Sequence, residues 1–263
     1  MSVERRRLIG AGALGLSAGF LSGLFGVGGG ILIVPGLVLL LGMDQRLAHG
    51  TSLAAVLPIA VSGTIGFGLE DSVDWPVALA LAAGAVIGAV IGTHWLHLLP
   101  TWVLAYAFAA ILLVSAVRLV VGESDPSGRG GLSLGGTAVL VVIGLVSGTL
   151  AGLLGVGGGV VMVPAQIILF GIPAAIAKGT SLAVIVPTAV MATARNVKKG
   201  NADLRIGAAV GLAGVVSAFL GSKVSVELDE DVSNALFAAL LAFVAVRMLV
   251  TTRRDEEPAP AEI

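Results

Sequence analysis

Two kinds of residue block in this chain have the chemistry to bind a small anion, and each kind occurs twice. One is a run of glycines that interrupts an apolar stretch, and the other is a Gly-Thr-Ser triplet before a long apolar stretch. A helix that begins at a glycine break offers backbone N–H groups and the positive end of its dipole, and hydroxyl groups add further donors. The candidate residues are Gly28, Gly29, Gly30, Thr51 and Ser52, and in the second half Gly157, Gly158, Gly159, Thr180 and Ser181.

Each block also has an interpretation without a ligand. The glycines could form a tight turn between packed helices, since glycine disfavours a helix interior by about 1 kcal/mol relative to alanine. One hydroxyl of each triplet is expected to cap the following helix, which leaves the other hydroxyl for an oxyanion. A nucleotide site is excluded because no Lys-Ser/Thr pair follows the glycines and no strand precedes them.

The blocks are part of a duplication that covers most of the chain. The sequence LFGVGGGILIVPGLVLLLG at positions 24–42 returns as LLGVGGGVVMVPAQIILFG at 153–171, and AHGTSLAAVLP at 48–58 returns as AKGTSLAVIVP at 177–187. One shift of 129 positions aligns both pairs without a gap. An apolar repeat of half a chain is typical of a duplicated transporter fold, in which interrupted helices mark the substrate site.

Composition places the chain in the membrane. Hydrophobic residues make up 57% of the 263 positions and charged residues 12%, whereas a soluble domain carries about 25% charged residues. The net charge of −1 argues against a nucleic-acid partner. Without cysteine there is no disulfide, thiolate metal site or cysteine nucleophile, and no cofactor is expected. The partners we expect are the lipid bilayer and a small anion. The sequence does not decide between a monomer and a homo-oligomer.

The sequence predicts an all-α polytopic protein of ten helical segments, five in each half. Two segments, 31–41 and 160–170, are too short to cross a membrane, so a hydropathy window would count eight spans. We assign residues 1–121 to the first transmembrane repeat, 122–132 to a linker, 133–252 to the second repeat and 253–263 to a disordered tail. The arginines at 5–7 belong to a retained first helix and not to a cleaved signal, because this segment resembles the start of the second half.

Charge placement predicts that the two halves are inverted in the membrane. With five passes in each half, the basic clusters at 5–7, 195–205 and 247–254 share one side, and the acidic loops 70–74 and 227–231 share the other. The positive-inside rule then places both termini in the cytoplasm of a multi-pass plasma-membrane protein. With four passes in each half, the acidic loop 70–74 and its basic counterpart 198–203 would share a side.

Several other polar residues are candidates for anion contact. They are Gln166, alone in a short apolar segment, and Arg195 with Asn196 at the end of another. Arg195 also fits an interfacial anchor. His94 and His97 lie at helical spacing, but no third ligand is near in sequence, so we expect interfacial histidines and no metal site. Glycines at four-residue spacing, such as Gly15, Gly19 and Gly23, indicate close helix packing.

The duplicated G-V-G-G-G…P and G-T-S-L…P blocks, with Gly-Asn-Ala-Asp-Leu at 200–204, resemble the sulfite exporter TauE/SafE family. The resemblance runs from about residue 15 to residue 249, and it implies a transporter of sulfite, sulfonates or related organic acids. Family members often carry Gly-Asn-Val-Asp-Trp at the end of the motif. Here the first half keeps Val-Asp-Trp at 73–75, whereas the second half has Ala-Asp-Leu, and the substrate stays open.

The residues and the resemblance together predict a secondary transporter that moves a small anion by alternating access at a site between the repeats. An anion channel with the same site is the first alternative. An intramembrane enzyme is disfavoured because paired carboxylates, a metal cluster and a nucleophile–base pair are missing from the sequence. A scaffold would not explain why both blocks occur twice. For uptake with a coupled ion, Asp44 and His49 are the candidates within the chain.

Overall fold

Ten α-helices make up the computed structural model, which describes residues 3–95, 101–121 and 133–256. These helices confirm the ten predicted segments. Their bounds are α1 Val3–Phe25, α2 Gly30–Leu41, α3 Gln45–Gly68, α4 Trp75–Trp95, α5 Thr101–Val121, α6 Leu134–Leu154, α7 Gly159–Phe170, α8 Ala174–Lys198, α9 Leu204–Glu227 and α10 Glu230–Glu256.

The glycine breaks start and stop the short helices. Gly28 and Gly29 have φ values of 85° and 75°, a left-handed conformation that side chains other than glycine rarely adopt, so the chain turns sharply before α2. Gly42 ends α2 with φ 64° and its N–H bonds to the carbonyl of Val38 at 3.1 Å. The same conformations recur at Gly157 and Gly158 before α7.

The two halves are inverted relative to each other, as predicted. Helices α3 and α8 are equivalent under the shift of 129 positions, yet they run antiparallel. Phe67 near the end of α3 packs against Gly179 near the start of α8, and Gly50 near the start of α3 packs against Asn196 near the end of α8. The rotation axis that exchanges the halves is therefore perpendicular to these helices.

The halves are joined through glycine faces, which are helix surfaces that carry glycine at every fourth residue. Gly15, Gly19 and Gly23 of α1 lie against the backbone of Val210, Gly214 and Ala218 of α9, in parallel orientation. Gly84, Gly88 and Gly92 of α4 meet α6 in the same way. A Cβ atom at any of these six glycines would collide with a backbone carbonyl of the facing helix, so the four-residue spacing serves packing, as expected.

Helices α2 and α7 cover only half the depth of the bundle. Helix α2 runs back along α1, from Gly29 beside Ala18 to Leu41 beside Gly10. Its 12 residues rise about 18 Å, roughly half of a ~30 Å hydrocarbon core. Helix α7 runs back along α6 in the same way, from Gly158 beside Ser147 to Phe170 beside Gly136. Both half-helices therefore have their N-termini in the interior.

The charged loops separate to the two ends of the bundle. Lys223 near the end of α9 pairs with Glu70 after α3, and the N–H of Ala174 donates to Glu230 Oε1 at 3.2 Å. The acidic loops 70–74 and 227–231 thus lie at one end, and the basic residues 195–205 lie at the other. Five helices in the described part of the chain, α3, α4, α6, α8 and α9, are long and apolar enough to cross a membrane.

Helix α10 runs past residue 252, the predicted end of the second repeat. Residues 253–256, which we expected in a disordered tail, continue α10 to Glu256. The linker 122–132 and residues 257–263 lie outside the described residues.

Candidate functional site

The two glycine loops meet in the middle of the bundle. Between them, the position of a Cβ on Gly157 lies 3.0 Å from the carbonyl oxygen of Val27 and 3.8 Å from Cα of Gly28. Gly30 abuts the carbonyl of Gly155, and Gly159 abuts the carbonyl of Gly26. The two glycine runs therefore lie against each other between the two halves. The loops are in direct contact, so an anion could enter between them only after they move apart.

The serines of the two triplets join the glycine loops by reciprocal hydrogen bonds. Ser52 Oγ donates to the carbonyl of Gly155 at 3.0 Å, and Ser181 Oγ donates to the carbonyl of Gly26 at 2.9 Å. Each bond crosses from one half to the other, and the shift of 129 positions converts one bond into the other. Both serines are fully buried.

The threonines of the triplets hold the starts of helices in the opposite half. The backbone N–H of Asp203, which precedes α9, donates to Thr51 Oγ1 at 2.9 Å, and that of Asp74, which precedes α4, donates to Thr180 Oγ1 at 2.9 Å. The first contact lies at the basic end of the bundle and the second at the acidic end. Each triplet therefore ties its own helix to the other half.

The expectation that the triplets cap their own helices is wrong. Helix α3 begins at Gln45 and α8 at Ala174, so both triplets lie inside helices. The N-cap of α3 is Asp44, whose side chain accepts the N–H of Arg46 at 3.0 Å. The apolar pattern placed these helix starts too late because residues 45–50 are mixed in polarity.

Free donors are present at the N-termini of both half-helices. Among the described residues, no acceptor contacts the backbone N–H groups of Gly28, Gly29 and Gly30, or those of 157–159. A narrow cleft with room for about one water molecule lies beside Gly29 and Val27, between α1, α2 and Leu240 of α10. The fully buried hydroxyl of Ser22 lines this cleft without a hydrogen-bond partner in the described part of the chain.

Ser147 is a second buried hydroxyl of this kind. Its Oγ has no partner among the described residues, and its backbone carbonyl lies against Gly158 at the start of α7. Sequence reasoning missed both Ser22 and Ser147. The serines are not equivalent under the shift, since alanine stands at each counterpart position, so the repeat gave no signal for them.

The remaining polar candidates lie away from the glycine loops. Gln166 is buried on α7, where its Nε2 donates to the carbonyls of Met162 at 3.0 Å and Ala177 at 3.3 Å. Arg195 follows Ile185, which touches Gly28, by ten residues, about 15 Å along α8. Asn196 lies beside Gly50 and donates to its own helix at Ala192. Arg195 and Asn196 therefore belong to the basic end of the bundle.

One charged residue near the loops escaped the sequence analysis. Lys178 stands where the first half has His49, and the side chain of Lys178 is fully buried. Its Cα abuts Gly26, as the Cα of His49 abuts Gly155. The shift of 129 positions pairs Lys178 with His49, and this pairing of two ionisable residues in the repeat could have identified Lys178 as a candidate. Lys178 was not among the candidates, because the apolar segment was placed from residue 180 onward.

The two histidines considered as metal ligands, His94 and His97, cannot be placed relative to each other in the described part of the chain. His97 is not among the described residues, and neither is the side chain of His94. Within the described residues, no three His, Cys, Asp or Glu side chains cluster in a way that could hold a metal ion.

These features define a class: a multi-pass membrane transporter with two inverted repeats and paired half-helices. The family model of the sulfite exporter TauE/SafE matches residues 2–119 and 140–262. The chain therefore belongs to the sulfite exporter TauE/SafE family.

Relatives from distant organisms match the chain. A probable membrane transporter protein of Bacillus subtilis, YunE, is 26% identical over 256 residues, which cover 89% of this chain and 92% of the relative. A second one, YjnA, is 25% identical over 248 residues and covers 90% of this chain and 97% of its own length. The sulfite exporter TauE/SafE family protein 5 of Arabidopsis thaliana is 30% identical over 113 residues, 42% of this chain and 25% of the relative.

Proposed function

We propose that this chain is a secondary transporter in the plasma membrane, with both termini in the cytoplasm. It moves a small sulfur-containing or organic anion, sulfite or an organosulfonate, by alternating access between its repeats. The observation that carries the proposal is the meeting of two half-helix N-termini in the bundle interior. Their N–H groups and the buried hydroxyl of Ser22 have no hydrogen-bond partner within the described part of the chain. Positive dipole ends and N–H donors stabilise an anion, and their arrangement here is that of a transporter site.

Of the predicted site residues, the glycines have the most direct role in the proposal. The N–H groups of Gly28–Gly30 and of 157–159 bind the anion once the loops separate, and Ser22 adds a hydroxyl. Thr51, Ser52, Thr180 and Ser181 hold the two halves together in this closed state. Opening at one end breaks the contacts there and frees hydroxyls toward the anion.

The driving force can come from the membrane potential alone. An anion that leaves a cytoplasm at negative potential gains about 2.3 kcal/mol per charge for each 100 mV. Export therefore requires no nucleotide hydrolysis.

The proposal is tested with purified protein in liposomes. Radiolabelled sulfite should show saturable counterflow, that is, transient uphill accumulation driven by unlabelled sulfite inside the vesicle. A channel with the same site would conduct sulfite without counterflow. If neither sulfite, thiosulfate nor a sulfonate such as taurine moves through the wild-type protein, the proposal fails.

Ser22 offers a matched test of the site itself. Ser22→Ala removes a hydroxyl without a hydrogen-bond partner among the residues that the structure describes, so the fold should stay intact. The loss of a hydrogen bond to a charged ligand is expected to raise the KM for sulfite about tenfold. Ser217→Ala is the control, because this serine is also buried and already donates to Gly214 of its own helix. An unchanged KM in Ser22→Ala would remove the cleft from the site.

A further inference from the structure

Lys178 is a buried amine whose partners among the described residues are neutral. Its Nζ donates to Ser225 Oγ at 3.2 Å and to Ser233 Oγ, and it lies 5.9 Å from the ring centroid of Phe25. The residue has no measurable solvent exposure. A protonated lysine has three N–H donors, and two of them are used here. The third has no hydrogen-bond acceptor in the described part of the chain.

The nearby carboxylate does not neutralise this amine by direct contact. Glu230 accepts the N–H of Ala174 with Oε1 at 3.2 Å, one turn before Lys178, and it makes no ion pair with Nζ. Glu230 still attracts the amine electrostatically from beyond contact distance. Burying a charge without a contacting ion pair is costly, and a buried ionisable residue in a membrane protein is by default a candidate functional residue.

Lys178 lies between the first glycine loop and the acidic end of the bundle. Its Cα abuts Gly26 of the first glycine loop, and three residues further along α8, Ser181 binds the Gly26 carbonyl. Its side chain points the other way, toward Ser225 near the end of α9 and Ser233 near the start of α10. An anion that moves between the glycine loops and the acidic loops would pass within reach of this amine.

The opposite end of the bundle is built differently. The equivalent residue, His49, has its Nδ1 2.6 Å from the carbonyl of Leu154, to which it donates. Its ring is therefore committed to the backbone of the other half. The two positions are related by symmetry in their backbone contacts, yet position 178 carries a buried amine and position 49 an imidazole.

We propose that Lys178, with the hydroxyls of Ser225 and Ser233, forms a second anion site between the central site and the acidic end. The inference rests on the proposed anion transport. An arriving oxyanion takes the free N–H of Lys178 and the hydroxyl protons of the two serines, which already accept from the amine. Hydrogen bonds between charged groups are about twice as strong as neutral ones, so the amine provides most of the attraction. It also offsets the repulsion between the anion and the acidic loops.

The decisive experiment compares Lys178→Met with Lys178→Arg by sulfite and thiosulfate transport in liposomes. Lys178→Met should raise the KM for sulfite about tenfold or more, because the charged donor is lost. Lys178→Arg keeps the charge and should stay within about threefold of the wild type. Lys223→Met is the matched control, since Lys223 lies at the same end, is about one-third exposed and pairs with Glu70. It should change the KM by less than about twofold.

Thermal unfolding in detergent separates this role from a structural one. Replacement of a buried charge by a well-packed apolar side chain is often neutral or stabilising, so Lys178→Met should unfold at the wild-type temperature or higher. A wild-type KM in Lys178→Met would overturn the inference and leave the proposed function standing. Wild-type protein that transports neither sulfite, thiosulfate nor a sulfonate would overturn both.

A second variant covers the case in which Lys178→Met does not fold. Ser233→Ala retains the amine and removes one hydroxyl, and it should raise the KM for sulfite severalfold without a comparable change in the maximal rate. Ser115→Ala, a buried serine on α5, is its control. If Ser233→Ala and its control behave alike, the second anion site does not exist.

Discussion

At the residue scale, two buried serines donate hydrogen bonds to backbone carbonyls of the opposite half. Ser52 and Ser181 each satisfy a backbone carbonyl in a glycine turn, where no helix ladder provides a donor. A buried carbonyl that loses its only donor costs about 1–3 kcal/mol. Each of these two hydroxyls is therefore expected to stabilise the folded protein by supplying the donor for a buried carbonyl.

We expect Ser52→Ala and Ser181→Ala each to lower the free energy of unfolding by about 1–3 kcal/mol, and by similar amounts, because the bonds are equivalent. Chemical denaturation of the purified protein in detergent measures the change. Ser217→Ala should cost less, since its acceptor, the Gly214 carbonyl, lies within regular helix. Equal decreases in the free energy of unfolding of all three variants would show that the bonds between halves stabilise the protein no more than a bond within one helix.

The roles of individual hydroxyls could not be predicted from the sequence. Their partners lie 103 to 155 positions away in the chain, and local capping rules consider only the nearest turn. The glycine breaks were predictable because their effect is local: left-handed φ values at Gly28 and Gly157 follow from residue type. Ser22 has no recognisable sequence pattern, since its proposed role depends on a cleft between three helices.

At the scale of the helices, the threonines connect the start of one helix to the interior of another. Thr51 holds the residue before α9 at the basic end, and Thr180 holds the residue before α4 at the acidic end. In an alternating-access cycle the two ends open in turn. Each threonine is thus a contact that one of the two openings must break.

Thr51→Val and Thr180→Val keep the side-chain shape and delete the acceptor, so each should loosen one end only. The chain has no cysteine, which allows reporter cysteines without background. Thr180→Val should speed labelling of a reporter at Ser72 several-fold and leave one at Asn201 unchanged, and Thr51→Val should do the reverse. Ser72 and Asn201 are equivalent positions whose carbonyls abut Gly179 and Gly50. Unchanged labelling in both valine variants would mean that these contacts do not control access.

For the whole molecule, the separation of charge defines the expected orientation. Glu70 and Asp229 are exposed at the acidic end, and Lys199 is exposed at the basic end. The inversion of the halves was predictable because an odd number of helical segments per half was needed to separate the charges. The depth of α2 and α7 was only partly predictable, since length shows that they are short but not where they begin.

Cysteines at Glu70 and Asp229 should react with a membrane-impermeant reagent on intact cells, and one at Lys199 should react only after permeabilisation. Ser72 is unsuitable for this assay because its side chain is buried. Replacement of Glu70 breaks its exposed pair with Lys223, which is expected to cost less than about 1 kcal/mol. Reaction of all three positions from the same side would contradict the inverted arrangement.

The glycine faces have a consequence for the history of the chain. Helices α1 and α4 place theirs against α9 and α6, so each half leaves exposed backbone grooves that only the other half fills. A gene that encoded one half alone would have produced a stable protein only if some copies entered the membrane in one direction and others in the opposite direction. Before duplication, such a half would have needed a nearly even distribution of basic residues between its two sides. Fusion of two such halves would fix the orientation of each copy and leave the halves free to differ, as they do at positions 49 and 178, where histidine is paired with lysine.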